Sequence, residues 1–113
     1  MVLSKKKGVW WLVNVFQSGQ ELIEAILGHE DESIIIKRLD KTFRIKREII
    51  ESIINFKGHH NVTPLMLASQ ENKKKLVEKL IELGANRNLI NINKRKAIHY
   101  TRQQNIKTIL FKY

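Results

Sequence analysis

Few side chains in this sequence are placed for metal binding or catalysis. Residues 29–32 read His-Glu-Asp-Glu, which lacks the second histidine of a His-Glu-x-x-His zinc helix. His59 and His60 are adjacent, but a zinc site needs three or four convergent ligands, and the neighbouring sequence supplies no others. The histidines therefore indicate a surface loop, and no metal ligand is predicted.

Motifs for enzymatic nucleophiles and for nucleotide phosphates are also missing. The sequence contains no Gly-x-Ser-x-Gly, no Walker-type loop and no Rossmann fingerprint. It contains no cysteine, which excludes disulfides and thiol chemistry and fits a reducing compartment. We therefore expect a protein that is not an enzyme, has no catalytic residues and no cofactor, and is located in the cytoplasm or nucleus; delivery into another cell stays open.

Anion binding is the one chemistry for which side chains are abundant. The net charge is +10, from 21 basic and 11 acidic residues. Residues 1–32 carry three lysines and five acids, a charge of −2, whereas residues 33–113 carry 18 basic and six acidic residues, a charge of +12. From Leu83 onward there are seven basic residues and no acid. This distribution predicts an acidic protein, a nucleic acid or an anionic membrane as the partner.

Two basic clusters lie in this half, at residues 73–75 and 94–96. The first begins a predicted helix, whose free N–H groups can hold an anion although lysines there oppose the helix dipole. The alternative is a solvated helix end on which Lys74 pairs with Glu78. A helix of about ten residues, roughly 15 Å, separates the clusters, so they do not form one stripe along a nucleic acid. Because RNA- and DNA-binding motifs are also absent, nucleic acid is the alternative partner and not the first.

The first residues resemble the start of a secretory signal peptide. Three lysines at positions 5–7 precede an apolar run over residues 9–16. That run is short, contains Asn14 and is not followed by a small-residue cleavage site. We therefore expect a basic, disordered lead over residues 1–8 and then a packed helix. No run in the sequence reaches 18 apolar residues, so no membrane span is expected.

A repeated apolar quartet predicts the helices that would position these groups. Apolar residues at positions i, i+1, i+4 and i+5 lie on one side of a helix and form a buried stripe. The quartet begins at Leu22, at Ile49 and at Leu76, with a spacing of 27 residues each time, and a fourth copy begins at Ile109. Such self-similarity is typical of repeat proteins.

Capping residues predict a short helix followed by a longer one. Thr63 suits an N-cap and Pro64 suits the first helical position. Asn72 interrupts this helix, and Gly84 suits the left-handed residue that ends the next one. A polar connection follows, and residues 97–103 are predicted to form the next short helix. Short helix, turn, longer helix and protruding loop together make an all-α repeat unit.

Residues 63–68 read Thr-Pro-Leu-Met-Leu-Ala, which resembles the T-P-L-H-x-A signature that opens an ankyrin repeat. Residues 76–88 are similar to the second helix of that family and its Gly-Ala-Asp-x-Asn exit. Residues 96–101 read Lys-Ala-Ile-His-Tyr-Thr and repeat the opening motif 33 residues later, which is the period of the family.

The resemblance implies an all-α, ankyrin-type solenoid of about four helix-turn-helix repeats in one domain, residues 1–113. It is clear over residues 61–113 and degenerate over residues 9–60, which are expected to hold the first two repeats. The family locks the start of its first helix with a Thr hydroxyl and a His ring, and each clear repeat here keeps only one of the two. We therefore expect each to be less stable by about 1 kcal/mol, the typical cost of a lost cap.

Residues 33–46 are open to two interpretations. Three successive isoleucines at positions 34–36 favour a strand, and residues 40 and 41 could form the turn of a β-hairpin. A degenerate first helix is the preferred interpretation, because the quartet at Ile49 needs an inner helix to cover it. The 27-residue spacing also predicts that the first two protruding loops are shortened.

Loop tips and the exposed faces of the short helices make most partner contacts in ankyrin repeats, so the resemblance implies a binding site there. Leu89, Ile90 and Ile92 are apolar residues in a polar loop, and packing on a neighbouring repeat is the alternative to partner contact. The predicted partner-binding residues are Met66, Gln70, Arg87, Leu89, Ile90, Ile92, Lys94, Arg95, Arg102 and Gln103.

The function implied by the resemblance is a protein–protein interaction module, and the charge indicates a partner with an acidic surface. Adaptor, effector and enzyme-blocking inhibitor are the roles considered, and a nucleic-acid-associated protein held by charge is the alternative. Residues 109–113 are largely apolar and lack the polar terminal repeat that solenoids need for solubility, so self-association through this end also stays open.

Overall fold

The computed structural model describes residues 15–112, and every regular element within them is helical. The expected all-α fold is confirmed for this part of the chain. The lead predicted over residues 1–8, the start of the packed helix after it and Tyr113 lie outside the described residues. The α-helices are α1 (Gly19–Leu27), α2 (Glu32–Ile45), α3 (Ile50–Ile54), α4 (Pro64–Gln70), α5 (Lys74–Glu82) and α6 (Gln104–Lys112), and 3₁₀ turns cover Arg47–Ile49, His59–Asn61 and Ala97–Tyr100.

The helices stack in two rows. In the inner row, α4 packs against α1 and against the turn Ala97–Tyr100; in the outer row, α5 packs against α2 and α6. Contacts also join α1 to α2, α4 to α5, and the turn to α6. The described residues therefore form three layers, each with an inner element followed by an outer helix, as expected for an ankyrin-type solenoid.

The apolar quartets are helical, but they do not occupy equivalent positions. The quartet at Leu22 lies on the inner helix α1, and the quartet at Leu76 lies on the outer helix α5. The quartet at Ile49 lies at the start of α3, in the connection between the first and second layers. Within the described residues 15–60, α1 and α2 form one layer, so the two repeats predicted over residues 9–60 are not confirmed. An apolar stripe shows that a helix has a buried side, but it does not show to which row the helix belongs.

The ends of α1 and α4 show that these two helices are equivalent. Ser18 and Thr63 are their N-caps, and each side chain accepts a hydrogen bond from the third backbone N–H of its helix. Both helices are followed by a residue with a positive φ angle, His29 at 62° and Asn72 at 58°. The N–H groups of these residues and of those after them close the last turn, and the outer helix begins within three residues.

Residues 32–45 form the long outer helix α2, so the helical interpretation of this segment is confirmed and the hairpin is wrong. Asp31 caps the helix by accepting a hydrogen bond from the Ser33 N–H at 3.1 Å. The side chains of Ile35, Leu39 and Thr42 are buried at helical spacing. The amphipathic period thus outweighs the strand propensity of the three isoleucines.

Helix α4 is buried along nearly its whole length, because it has neighbours in both rows. All six residues from Pro64 to Ser69 are buried. The Thr63 hydroxyl accepts a hydrogen bond from the Met66 N–H at 3.3 Å, and the Met66 thioether accepts one from the Thr63 N–H at 3.4 Å. Met66 therefore occupies the position of the family's histidine with a weaker acceptor.

The short helix predicted over residues 97–103 is only the turn Ala97–Tyr100, so this prediction was too long. Thr101 has an extended backbone, with φ −129° and ψ 151°, and its side chain is buried. Its hydroxyl donates to Asn72 Oδ1 at 2.9 Å and accepts from the Gln103 N–H at 3.0 Å. These bonds fix Thr101 between the last two layers and start α6 at Gln104.

The segment before α1 is fastened to the outer row. The Phe16 N–H donates to the Thr42 hydroxyl at 2.8 Å, and that hydroxyl donates to the Arg38 carbonyl at 2.7 Å. The Phe16 ring is fully buried, with the Arg38 guanidinium 4.0 Å from its centre. Arg38 also forms an ion pair with Glu30 at 2.9 Å.

Two polar contacts join α2 to α5 in the outer row. Glu32 Oε2 accepts a hydrogen bond from the Leu76 N–H at 2.8 Å, so α2 supplies the cap that Lys73 does not give to α5. The Lys79 ammonium lies 2.8 Å from Asp40 of α2 and 3.3 Å from Glu82 of its own helix. The hydrogen bond to Asp40 raises the pKa of Lys79 above 10.5, although burial lowers it, and Glu82 adds to the increase.

Replacing Glu32 by Ala removes the acceptor at the start of α5. We expect the free energy of unfolding to fall by about 1 kcal/mol, the typical loss for an N-cap. Urea denaturation of the full chain measures it. Glu48→Ala is the control, because Glu48 is exposed and has no hydrogen bond within residues 15–112, and it should change stability by less than about 0.5 kcal/mol. Equal losses for the two variants would contradict the capping role of Glu32.

Replacing Lys79 by Met removes the ammonium and keeps most of the side-chain volume. Because the folded-state pKa is raised, the stabilisation is fully present below pH 10.5 and is lost as pH rises through the folded-state pKa. We expect Lys79→Met to lower stability by about 1 kcal/mol at about pH 7. The difference from the native chain should shrink as pH rises through the folded-state pKa. Lys75→Met, at an exposed position of α5, should show neither effect.

Candidate functional site

A loop of residues 85–96, here called the 85–96 loop, protrudes between the second and third layers. It begins after Gly84, whose φ of 108° lies in the region that favours glycine, and which closes α5 with an N–H bond to Ile81 at 3.0 Å. Asn55 joins this point to the preceding connection, since its amide donates to the Gly84 carbonyl at 3.1 Å and accepts from the Asn86 N–H at 2.7 Å. The start of the loop is therefore fixed from both sides.

Asn91 holds the distal part of the 85–96 loop in place. Its side-chain oxygen accepts hydrogen bonds from the N–H groups of Asn93 at 2.8 Å and Arg95 at 2.9 Å. Its amide nitrogen donates to the Tyr100 hydroxyl at 2.6 Å. The side chain is 7% exposed, so these bonds are shielded from water. They orient the backbone that carries Lys94 and Arg95.

The three apolar residues of the loop divide between packing and exposure. Leu89 is half-buried against the core, which supports the packing alternative for this residue. Ile90 is 43% exposed and Ile92 is 62% exposed, although the Ile92 N–H donates to the His60 carbonyl of the neighbouring turn at 2.9 Å. The backbone at Ile92 is therefore fixed while its side chain faces solvent.

A basic groove lies where the loop meets the third layer, with a volume of about 570 Å³. The lining residues are Lys94, Arg95, Ile98, His99, Thr101, Arg102 and Lys107. The chain has no acid from Leu83 onward, so the groove has no carboxylate of its own segment. Within residues 15–112, none of its four Lys and Arg side chains forms an ion pair. His99 is oriented by its Nδ1 atom, which accepts the Lys96 N–H at 2.9 Å.

An apolar pocket of about 270 Å³ adjoins the basic groove. Its lining residues are Arg87, Asn88, Lys96, Ile98, Leu110 and Phe111. Ile98 lines both recesses, so they are neighbours on the surface of the third layer. The Phe111 side chain is 80% exposed, the highest value among the large apolar residues described. An apolar recess is thus framed by cations.

The structure brings together four of the ten predicted contact residues. Lys94, Arg95 and Arg102 line the basic groove, and Arg87 lines the apolar pocket. Gln70 and Gln103 are exposed outside these recesses. Arg102 and Gln103 were predicted to lie on a short helix. They follow the turn instead, because it ends at Tyr100.

The prediction that Met66 contacts a partner is corrected by the structure. Its side chain is fully buried, since α4 is covered in both rows, so it offers no surface to a partner. Ile98, His99, Lys107 and Phe111, by contrast, line the recesses and were not predicted as contacts. Lys107 lies in the segment after Leu83 that contains no acid, and this could have marked it as a contact residue. Its position in the groove, however, depends on where α6 begins.

The start of α5, where the lysines at residues 73–75 lie, does not need an external anion. The Leu76 N–H already donates to Glu32, so the carboxylate at this helix end belongs to the protein. Within residues 15–112, Lys74 forms no ion pair with Glu78 either. Lys74 and Lys75 are exposed at the outer row.

Neither a metal site nor a membrane span is present in the described part of the chain. Among residues 15–112, no three His, Asp or Glu side chains converge to hold a metal ion. No helix there combines the length and the apolar character needed to cross a bilayer.

Comparison with known proteins identifies one repeat. The family model for the ankyrin repeat matches residues 60–92, from the turn His59–Asn61 through α4 and α5 into the 85–96 loop. The resemblance found in the sequence is thereby confirmed over this range. No match to a curated protein was found for the chain. Ankyrin repeats are in general protein–protein interaction modules.

Replacing Asn91 by Ala leaves the Asn93 and Arg95 N–H groups without their acceptor. We expect the free energy of unfolding to fall by about 1 to 3 kcal/mol, the cost of leaving buried polar groups unpaired. Amide exchange at positions 93 and 95 should accelerate. Asn88→Ala, at an exposed position of the same loop, is the control and should leave that exchange unchanged. Unchanged exchange in Asn91→Ala would show that other contacts hold the loop.

Proposed function

Because residues 60–92 form an ankyrin repeat, we propose that this chain is a protein-binding module that takes an acidic partner surface in its basic groove. The observation that carries the proposal is the charge of that groove. Lys94, Arg95, Arg102 and Lys107 line it, and the segment that forms it contains no acid. Partner carboxylates would therefore meet cations that have no ion pair within the described residues.

The use of cations elsewhere in the molecule supports this interpretation. Lys79 and Arg38 are more than four-fifths buried and pair with carboxylates that join neighbouring elements. Those pairs belong to the fold. The groove cations Lys94, Arg95 and Arg102 are exposed and make no comparable contact within residues 15–112. A groove lined by charges of one sign steers an oppositely charged partner toward it and raises the association rate.

The exposed isoleucines supply a second component of binding. Ile92 precedes Lys94 on the 85–96 loop, and its backbone is anchored through the His60 carbonyl. Burial of apolar surface contributes about 25 cal/mol per Å², so a partner that covers Ile90 and Ile92 gains affinity beyond the ion pairs. Interfaces of this kind combine an apolar centre with a polar rim.

The proposed role is that of an adaptor or effector that recruits or masks its target. An inhibitor that blocks an enzyme would use the same surface, and it requires that the captured partner has catalytic activity. Charge-driven binding of nucleic acid is the second candidate function, and the net charge of +10 favours it. The residues that line the basic groove include no Phe, Tyr or Trp, so base stacking there would rest on His99 and on the guanidinium groups of Arg95 and Arg102.

The test is capture of partners from the native cell type by the full chain at near-physiological salt, with and without nuclease. Replacing Lys94, Arg95 and Arg102 together by Gln should weaken capture of a protein partner about tenfold, if each exposed pair contributes roughly 0.5 kcal/mol. The control replaces Lys57, Lys74 and Lys75 by Gln, which removes the same charge from exposed positions outside the groove.

A protein that survives nuclease treatment, and that only the groove variant loses, supports the proposal. Capture that disappears with nuclease, together with equal losses in both variants, would contradict it. Binding that falls steeply with salt for any DNA or RNA sequence would then assign the chain to nucleic acid.

A further inference from the structure

We propose that the partner segment is an extended acidic peptide with one apolar side chain, and that this side chain inserts into the apolar pocket beside the basic groove. The inference rests on the proposed function and adds the chemical pattern of the ligand. Ile98 lines both recesses, so a single peptide can occupy them together.

The size and lining of the pocket fit an apolar side chain. Its volume is about 270 Å³, whereas a cavity of about 150 Å³ lined by aliphatic and aromatic residues holds a benzene ring. Ile98 is half-buried, Leu110 is buried, and Phe111 exposes 80% of its surface. A leucine or phenylalanine inserted here would cover apolar surface that is otherwise in contact with water.

The charges around the pocket specify what lies next to the apolar side chain. Arg87 and Lys96 stand at the pocket, and Lys94 and Arg95 stand at the groove. A guanidinium matches a carboxylate with two parallel hydrogen bonds, so Arg87 is suited to an acid beside the anchor. In an extended peptide, successive side chains point to opposite faces at about 3.3 Å per residue, so acids that share the face of the apolar residue lie two positions before and two positions after it.

The same charges disfavour the other occupants of this surface. A second copy of the chain would bring another net charge of +10, and its repulsion opposes the contact. A duplex nucleic acid would satisfy the cations with its phosphates, but to fill the apolar recess it would have to unstack a base, and the single-stranded probe below tests that occupant. Charge complementarity together with an apolar recess therefore selects an acidic peptide with an anchor.

The experiment measures fluorescence anisotropy of labelled peptides on the full chain. One peptide alternates Glu and Ser with Leu at its centre, the second has Ser in place of that Leu, and a single-stranded oligo-dT is the third probe. We expect the Leu peptide to bind about tenfold more tightly than the Ser peptide, a difference that corresponds to roughly 1.4 kcal/mol.

Phe111→Ser should remove that difference while leaving the affinity for the Ser peptide unchanged. Phe111 is mostly exposed, so the variant is expected to fold, and its thermal unfolding would be compared with that of the native chain. Ile34→Ser replaces an exposed apolar residue of α2 and should keep the full preference. A second variant, Arg87→Gln, should weaken the Leu peptide more than the Ser peptide.

The outcomes separate this inference from the proposed function. Equal affinity for both peptides would overturn the anchor and leave the acidic groove in place. No binding of either peptide would overturn both proposals. Preference for oligo-dT, or a dimer in sedimentation that Phe111→Ser dissociates, would overturn the inference by showing that the surface has another occupant.

Discussion

The enclosure of helix α4 is the constraint on which the rest of the structure depends. Residues Pro64 to Ser69 are buried, so this helix has almost no solvent face and needs a neighbour on each side. Helix α1 covers one side, the turn Ala97–Tyr100 covers the other, and α5 lies behind. An inner row with α4 at its centre follows from this requirement, and each inner element brings its own outer helix. The basic groove exists because the turn docks on α4, which holds Thr101 between the layers and leaves Arg102 exposed.

The local features of the fold could be predicted from the sequence because they depend on adjacent residues. The Thr63 cap, the break at Asn72 and the left-handed Gly84 each follow from the chemistry of a few neighbouring positions. The arrangement of the helices in the first half could not be predicted from the sequence, since the quartets at Leu22 and Leu76 look alike but lie in different rows. The row is decided by tertiary contacts, which periodicity does not contain. The burial of Met66 was missed for the same reason, because an exposed face was assumed for a helix that has none.

The candidate site was predictable in its charge and not in its shape. A basic segment without acids is evident in the sequence, and Lys94, Arg95 and Arg102 do meet in one groove. Whether Lys107 joins them depends on a helix boundary. The turn stops at Tyr100 and α6 begins at Gln104, which brings Lys107 to the groove. Ile98 and Phe111 are separated in sequence and meet only when the turn and α6 pack together. The shape of the site therefore depends on tertiary packing, which the order of residues does not contain.

The cap that Glu32 gives to α5 couples the stability of two neighbouring layers. In a linear array of repeats, stability divides into an intrinsic part for each unit and a coupling part for each junction. Here a hydrogen bond that would normally belong to the intrinsic part of α5 is supplied by a residue 44 positions earlier. The intrinsic stability of the second layer is thereby lowered and the coupling is raised, so partial unfolding at this junction is suppressed. Unfolding of the first layer alone would therefore leave the start of α5 without its acceptor.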